Sequence, residues 1–379
     1  MSGIYIHIPF CKQACSYCDF YFVTRHQQKD EFVRALIKEI EDKKDSIYTT
    51  ETIETIYFGG GTPSLLSKKE LSDILEAIYA TFDVDAQEIT LELNPDDVTA
   101  QYLKDIRNIG VNRVSMGVQS FNKDLLRFMN RAHSAEEALR CLELLQSSGI
   151  DVFTVDLIYG NPGQSVAMLD KDLDTLLSFN PPHVSAYSLT IEPKTRLGKQ
   201  LELGRLIPAE DDQVEIHFDL VEQKLAAKGI ERYEVSNFAR KGKEAIHNTN
   251  YWSHKNYLGL GPGAHSFWWN EENTGAYRWE NKPNLESYLT RKNSTEVNKE
   301  FLDLYSLAEE RIMLGLRTMK GIDLKAFEKK YNFTINNAQK DYILKMQSDG
   351  KLTAGKTLNL TTKGLKIADA IVLDLISLA

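Results

Sequence analysis

Three of the four cysteines, Cys11, Cys15 and Cys18, follow the spacing C-x-x-x-C-x-x-C near the start of the chain. An odd number of thiols leaves one over in any disulfide scheme, and three are too few to fill a four-coordinate site. A [4Fe–4S] cluster held by three thiolates keeps one iron open to an exchangeable ligand. Structural zinc completed by a histidine, and plain burial of three small side chains, are the alternatives the spacing leaves open. His7 is close in sequence, but its place on a strand two residues before Pro9 aims it poorly at such a site.

The run Gly59-Gly60-Gly61-Thr62-Pro63 is the next candidate. Glycines let backbone amides approach a ligand because no Cβ intervenes. A phosphate loop would need a following Lys–Ser/Thr pair, which this run lacks. A third constellation lies far downstream, in His247-Asn248-Thr249-Asn250-Tyr251-Trp252. An imidazole is a common haem ligand. All four tryptophans, Trp252, Trp268, Trp269 and Trp279, fall in this region with Tyr257, Phe267 and Tyr277. Such density can build a pocket for a flat ligand. On residue type alone, an aromatic core with a hydrogen-bonded structural histidine is the stronger reading. His254 and His265 are rival ligands to His247.

The elements that must position these residues alternate. Strand-like runs 3–8, 53–61, 88–93, 113–119, 151–160 and 183–191 are separated by helical periodicity, with Phe32, Leu36, Ile37 and Ile40 on one helical face. Ser67 with Glu70, and Ser134 with Glu137, predict capping boxes. Six such units imply an α/β fold, an incomplete (β/α)6 barrel over residues 1–205, with a doubly wound open sheet as the rival. Either fold gathers chemistry at the carboxyl ends of its strands. The cysteines, the glycine run, Glu92 with Asn94-Pro95, and Gln119 all fall there, with Asp156 inside the fifth strand. By type alone, Asp156 and Arg131 read as ordinary charges. Residues 206–300 read as a helix, a strand and an irregular aromatic-rich segment, and 301–379 as a small, helical, winged-helix-like domain.

The net charge of -9 argues against a nucleic-acid surface. The N-terminus resembles no signal peptide, and no run reaches the ~20 apolar residues of a membrane helix. A cytoplasmic location with reduced thiols is therefore expected. Cys141 sits at core spacing with Ala138, Leu142 and Leu145, and the last helix reads as one that closes a small domain.

With Tyr17 before the last cysteine, the cysteine motif resembles the signature of the radical S-adenosylmethionine (SAM) superfamily. The stretches "YIHIPFCKQACSYCDF", "YFGGGTPS", "GVQSFN", "NRAHS" and "VDLIYGNPGQ" together resemble the oxygen-independent coproporphyrinogen III oxidase family within it. The resemblance implies a [4Fe–4S] cluster on Cys11, Cys15 and Cys18, with SAM chelating the open iron. It also implies SAM contacts from Tyr5, Tyr17, Gly60, Gly61, Thr62, Glu92, Gln119, Arg131 and Asp156.

Two departures set the chain apart from the oxidase. Phe20 stands where the oxidase pattern has a further cysteine, and Cys11 comes too early for the oxidase's long N-terminal segment. Oxidase turnover is therefore not expected. "HNTNYW" resembles the H-N-x-x-Y-W motif of haem chaperones, a non-oxidase branch of the family. This implies haem at His247, Asn248, Tyr251 and Trp252, passed to apo-haem acceptors such as membrane-bound respiratory proteins. Homodimerisation is left open. The runner-up is a radical SAM enzyme, either the oxidase or one acting on another tetrapyrrole. The third reading is a zinc-stabilised interaction protein.

Overall fold

Six strands lie side by side in chain order and run parallel: β1 (Ser2–Ile8), β2 (Ile53–Gly60), β3 (Val84–Leu93), β4 (Arg113–Gln119), β5 (Val152–Tyr159) and β6 (His183–Ser188). The computed structural model describes residues 2–290 and 296–379. A doubly wound sheet reverses its strand order at a switch point. Here the order from β1 to β6 never reverses, which is the wall of a barrel. β1 and β6 pair with other strands and not with each other, so the barrel is incomplete, as the alternation predicts.

Alternation along each strand divides core from lumen. Ile4, Ile6 and Ile8 of β1, with Ile56 and Phe58 of β2, are fully buried. They share a core with Phe32, Leu36 and Ile40 of α1 (Lys29–Glu41). Burying each such side chain contributes roughly 1.5–3 kcal/mol. The intervening residues, among them Tyr5, Tyr57, Glu92, Ser115 and Asp156, turn inward, so the lumen is polar.

The outer layer continues with α2 (Lys68–Thr81), α3 (Ala100–Asn108), α4 (Lys123–Phe128), α5 (Ala135–Ser147) and α6 (Val166–Ser178). Both predicted capping boxes are present, Ser67 with Glu70 on α2 and Ser134 with Glu137 on α5. Cys141 is buried in the helix layer. After α7 (Arg196–Glu202) and α8 (Asp211–Ala226), the short strands β7 (Glu231–Arg232) and β8 (Asn237–Ala239) extend the β6 edge.

The aromatic-rich stretch is more regular than its sequence suggests. After α9 (Ile246–Trp252) it forms β9 (Tyr257–Leu260), β10 (His265–Trp269), β11 (Gly275–Asn281) and, beyond α10 (Leu285–Thr290), β12 (Glu296–Asp303). β9 pairs parallel with β1, and the rest follow antiparallel, giving a twelve-stranded sheet. Both faces of β10 are covered, so no polar alternation marks it, whereas β12 is largely exposed. Trp268 and Trp279 pack on Tyr48 in the main core, while Phe267 and Trp269 enter the core of the C-terminal helices. Trp268, Trp269 and Trp279 thus pack within these two cores, the reading that residue type alone favours.

The C-terminal part holds α11 (Leu304–Leu316), β13 (Ile322–Asp323), α12 (Leu324–Tyr331), α13 (Asn337–Ser348), β14 (Thr357–Leu358), α14 (Thr362–Leu365) and α15 (Ala368–Ser377). β13 and β14 form a small antiparallel sheet, and Ile371, Val372 and Leu375 bury the apolar face of α15. Among the described residues no helix is long and apolar enough to cross a membrane.

Candidate cofactor site at the mouth of the barrel

The cysteines lie on the loop between β1 and α1, at the carboxyl ends of the strands. The loop is tied down by main-chain contacts: Cys11 N to Val23 O at 3.0 Å, Ser16 N to Met129 O at 2.9 Å, and Leu197 N to Ser16 O at 3.0 Å. All three thiols are free and half-buried. Burial pushes the Cys11 thiol up to about 12 and Cys18 up to about 11, so ligation of either would release a proton. Gly61 makes room for them. A Cβ there would stand 3.0 Å from Cys11 Sγ and 2.7 Å from the carbonyl oxygens of Ile8 and Phe10. Among the described residues no three Cys, His, Asp or Glu side chains converge as ligands of a single metal ion. Phe20 is 67% exposed and points away from any ligand role.

Arg131 ties this loop to the lumen. Its Nη1 lies 3.2 Å from Cys15 Sγ and 3.4 Å from Tyr17 Oη, and its Nη2 donates to Asn94 Oδ1 and Gly117 O at 2.8 Å each. Asn94 Nδ2 in turn donates to Thr62 Oγ1 at 3.1 Å. Sequence reasoning noted Asn94 only as part of a strand-end Asn-Pro pair. Its bridging role depends on three separate loops meeting.

Deeper in the lumen, Glu92 accepts from Tyr57 Oη at 2.8 Å and from Gly60 N at 3.2 Å. Gly60 holds φ +103°, a left-handed conformation that glycine adopts without strain. Tyr5 stacks on Tyr57 at 6.0 Å, and its hydroxyl lies 3.3 Å from His7 Nδ1, whose Nε2 donates to Tyr21 O at 2.8 Å. Burial pushes Glu92 up to about 7, opposed by the Tyr57 hydrogen bond and reinforced by the Asp156 charge. Asp156 is pushed up to about 6 by burial, against hydrogen bonds from Ser185 and Ser115. Tyr57, Ser115 and Ser185 were missed in the sequence. The alternation of the strands is the signal that would have found them.

These residues suit a ligand with both cationic and anionic groups. Gln119 sits in a left-handed conformation, φ +67°, uncommon outside glycine and typical of constrained sites. Its buried Oε1, and the buried Nε of Arg131, have no partner among the described residues. The buried carboxylates offer sites for an ammonium, the free amide for a hydroxyl, and the guanidinium for a carboxylate.

The other predicted cluster lies elsewhere. α9 sits against the inner side of the sheet, where Glu88 of β3 accepts from Ile246 N at 2.8 Å and His247 N at 3.0 Å. His247 is 1% exposed, with Nδ1 2.8 Å from Thr55 Oγ1 and Nε2 2.7 Å from Tyr251 Oη. Both ring nitrogens are thus engaged, and iron could reach neither without moving α9. Asn248 borders a lumen cavity of about 70 Å³ together with Glu92 and Asp156. Trp252 accepts at its carbonyl from Arg311. His254 is also buried, with Nδ1 3.0 Å from Tyr331 Oη and Nε2 3.3 Å from Glu310. The side chain of His265 is 61% exposed, facing Glu280 at 3.3 Å.

Residues 5–176 match the radical SAM superfamily, and residues 302–366 match the HemN C-terminal domain. The chain is 36% identical to a Bacillus subtilis protein named heme chaperone HemW, over 89% of this chain and 88% of that one. It is 33% identical to a Lactococcus lactis protein of the same name, covering 97% and 95% of the two chains. The chain belongs to the HemW family.

Coproporphyrinogen III oxidase (HemN) from Escherichia coli, a radical SAM enzyme, shares the fold. Its TM-score is 0.83 at 22% identity, over 99% of this chain and 89% of that one. The HemW-family chain and the oxidase therefore share one fold. The superfamily match ends within α6, so α9 lies outside it, although it packs against the same lumen.

Proposed function

We propose that this chain is a cytoplasmic haem carrier that binds haem and passes it to apo-haem proteins, membrane-bound respiratory ones among them. It holds a [4Fe–4S] cluster through Cys11, Cys15 and Cys18, and SAM against Tyr5, Tyr17, Gly60, Gly61, Thr62, Glu92, Gln119, Arg131 and Asp156. The observation that carries the carrier reading is identity to proteins named haem chaperones over nearly the whole chain. The cofactor reading is supported by the cysteine loop, the glycine cradle and the unpartnered polar atoms around them.

When bound, the cluster supplies an open iron for the amino and carboxylate groups of SAM. Glu92 would then accept a hydrogen bond from that amino group, and Gln119 would meet a ribose hydroxyl. Arg131 balances negative charge between the cysteine loop and the ligand. For haem, the "HNTNYW" residues His247, Asn248, Tyr251 and Trp252 can serve only if α9 leaves the lumen wall. His265 is open to solvent in the present fold, so we assign it as the first iron ligand to test.

The test is a haem titration followed by absorption spectroscopy, on wild type, His265→Ala and His247→Ala, with the cluster reconstituted anaerobically. Saturable one-to-one binding, with the Soret band altered in His265→Ala, is the expected outcome. An altered band in His247→Ala alone would return the ligand to α9. Absence of saturable binding, or conversion of coproporphyrinogen by SAM and a reductant, would overturn the carrier reading.

A further inference from the structure

The helix carrying "HNTNYW" is built into the same lumen as the carboxylate assigned to SAM. We propose that α9 is the floor of the SAM pocket and that His247 positions Glu92 through the ring of Tyr57. The inference rests on the reading that Glu92 meets the amino group of SAM.

The chain of contacts is short. Glu88 clamps the first turn of α9 by accepting from both Ile246 N and His247 N. Thr55 and Tyr251 then hold the His247 imidazole at its two nitrogens. The ring fills a narrow slot, since a Cβ on Gly3 would stand 3.2 Å from it and 2.7 Å from Thr55 Oγ1. Held there, it stacks on Tyr57 at 5.1 Å and 27°, and Tyr5 stacks on Tyr57 at 6.0 Å and 28°. Tyr57 is therefore flanked by two rings, with its hydroxyl 2.8 Å from Glu92 Oε1. The other Glu92 oxygen takes the Gly60 amide, so its orientation depends on Tyr57 and on the glycine run.

A second observation places α9 on the same chamber. Asn248 shares the 70 Å³ cavity with Glu92, Asp156, Thr90 and His183. Thr90 Oγ1 and His183 Nδ1 are buried there without partners among the described residues. The chamber is thus polar from the carboxylates down to α9. Stacked aromatic rings prefer defined geometries. Removing the imidazole would let Tyr57 turn and withdraw the donor that orients Glu92.

The experiment measures SAM affinity by equilibrium dialysis on cluster-loaded, haem-free protein, with cluster content checked in each variant. His247→Ala is expected to weaken SAM binding about tenfold, the effect of losing one hydrogen bond to a charged group. Tyr57→Phe should weaken it similarly, and the double variant should lose no more than Tyr57→Phe alone. Tyr251→Phe, a milder change for a protein that does not tolerate His247→Ala, should weaken binding a few-fold. Unchanged affinity in His247→Ala, or losses that simply add in the double variant, would overturn the inference. Glu92→Gln separates the two levels. If it weakens SAM binding while His247→Ala does not, the SAM reading stands and the inference fails. If Glu92→Gln binds SAM normally, the SAM reading itself fails.

Discussion

Arg131 Nη1 lies 3.2 Å from the Sγ of Cys15, which joins the cysteine loop to β4 and to the strand-end Asn94. One guanidinium thus serves both the cysteine loop and the lumen. Its five fixed donors make this possible, and a single ammonium could not reproduce the fork.

Arg131→Lys is therefore expected to behave almost like Arg131→Ala. Each leaves Asn94 Oδ1 and Gly117 O without their donor, a cost of about 1–3 kcal/mol. Urea unfolding measures the stability loss. Iron and acid-labile sulfide per chain after reconstitution should fall in both variants, and retention of full cluster content in Arg131→Lys would contradict the bridging role.

Gly61→Ala should disturb the cysteine loop directly, because its Cβ meets two carbonyl oxygens and Cys11 Sγ. Gly60→Ala adds backbone strain at φ +103° and meets the His7 ring at 2.6 Å. Strain of this kind costs on the order of 1–3 kcal/mol. Thermal melting with cluster analysis should show Gly61→Ala losing more iron for its loss of stability, because its backbone faces the thiols.

Glu92 gives a pH signature with a defined sign. Burial raises its carboxyl from 4.5 to about 7, so the folded apo-protein holds more protons than the unfolded chain between those values. Stability should fall as pH rises through that window, and Asp156, raised to about 6, adds to the fall at its lower end. Glu92→Gln should flatten the upper part when urea unfolding is compared at pH 5 and 8. SAM affinity should change the other way, strengthening from pH 6 to 8 as the Glu92 carboxyl ionises to accept from the amino group. A pH-independent SAM affinity in wild type would argue that Glu92 does not meet that group.

Trp279→Ala tests the packing account of the aromatic segment. The ring is 2% exposed and packs on Tyr48. Its loss should cost roughly 3–5 kcal/mol in urea unfolding. Haem affinity at temperatures where the variant stays folded should hardly change. A large loss of haem binding with little loss of stability would make Trp279 a pocket residue after all.

The sequence by itself determined what repeats locally. Helix α1 shows Phe32, Leu36 and Ile40 at helical spacing, Ser67 and Ser134 announce their caps three residues ahead, and the six parallel strands stand out as apolar runs. The cysteine spacing marks the first loop because Cys11, Cys15 and Cys18 lie within eight residues of one another on the stretch between β1 and α1. Tertiary structure decided the rest. β9 joins β1 across some 250 residues, a pairing no local pattern encodes, and the neighbouring β10 lacks alternation because cores cover both its faces. The side of the sheet on which α9 lies, and so whether His247 meets solvent or Tyr57, depends on Glu88 and Thr55 waiting on β3 and β2. Residue type made His247 a candidate ligand; long-range packing engaged both of its nitrogens.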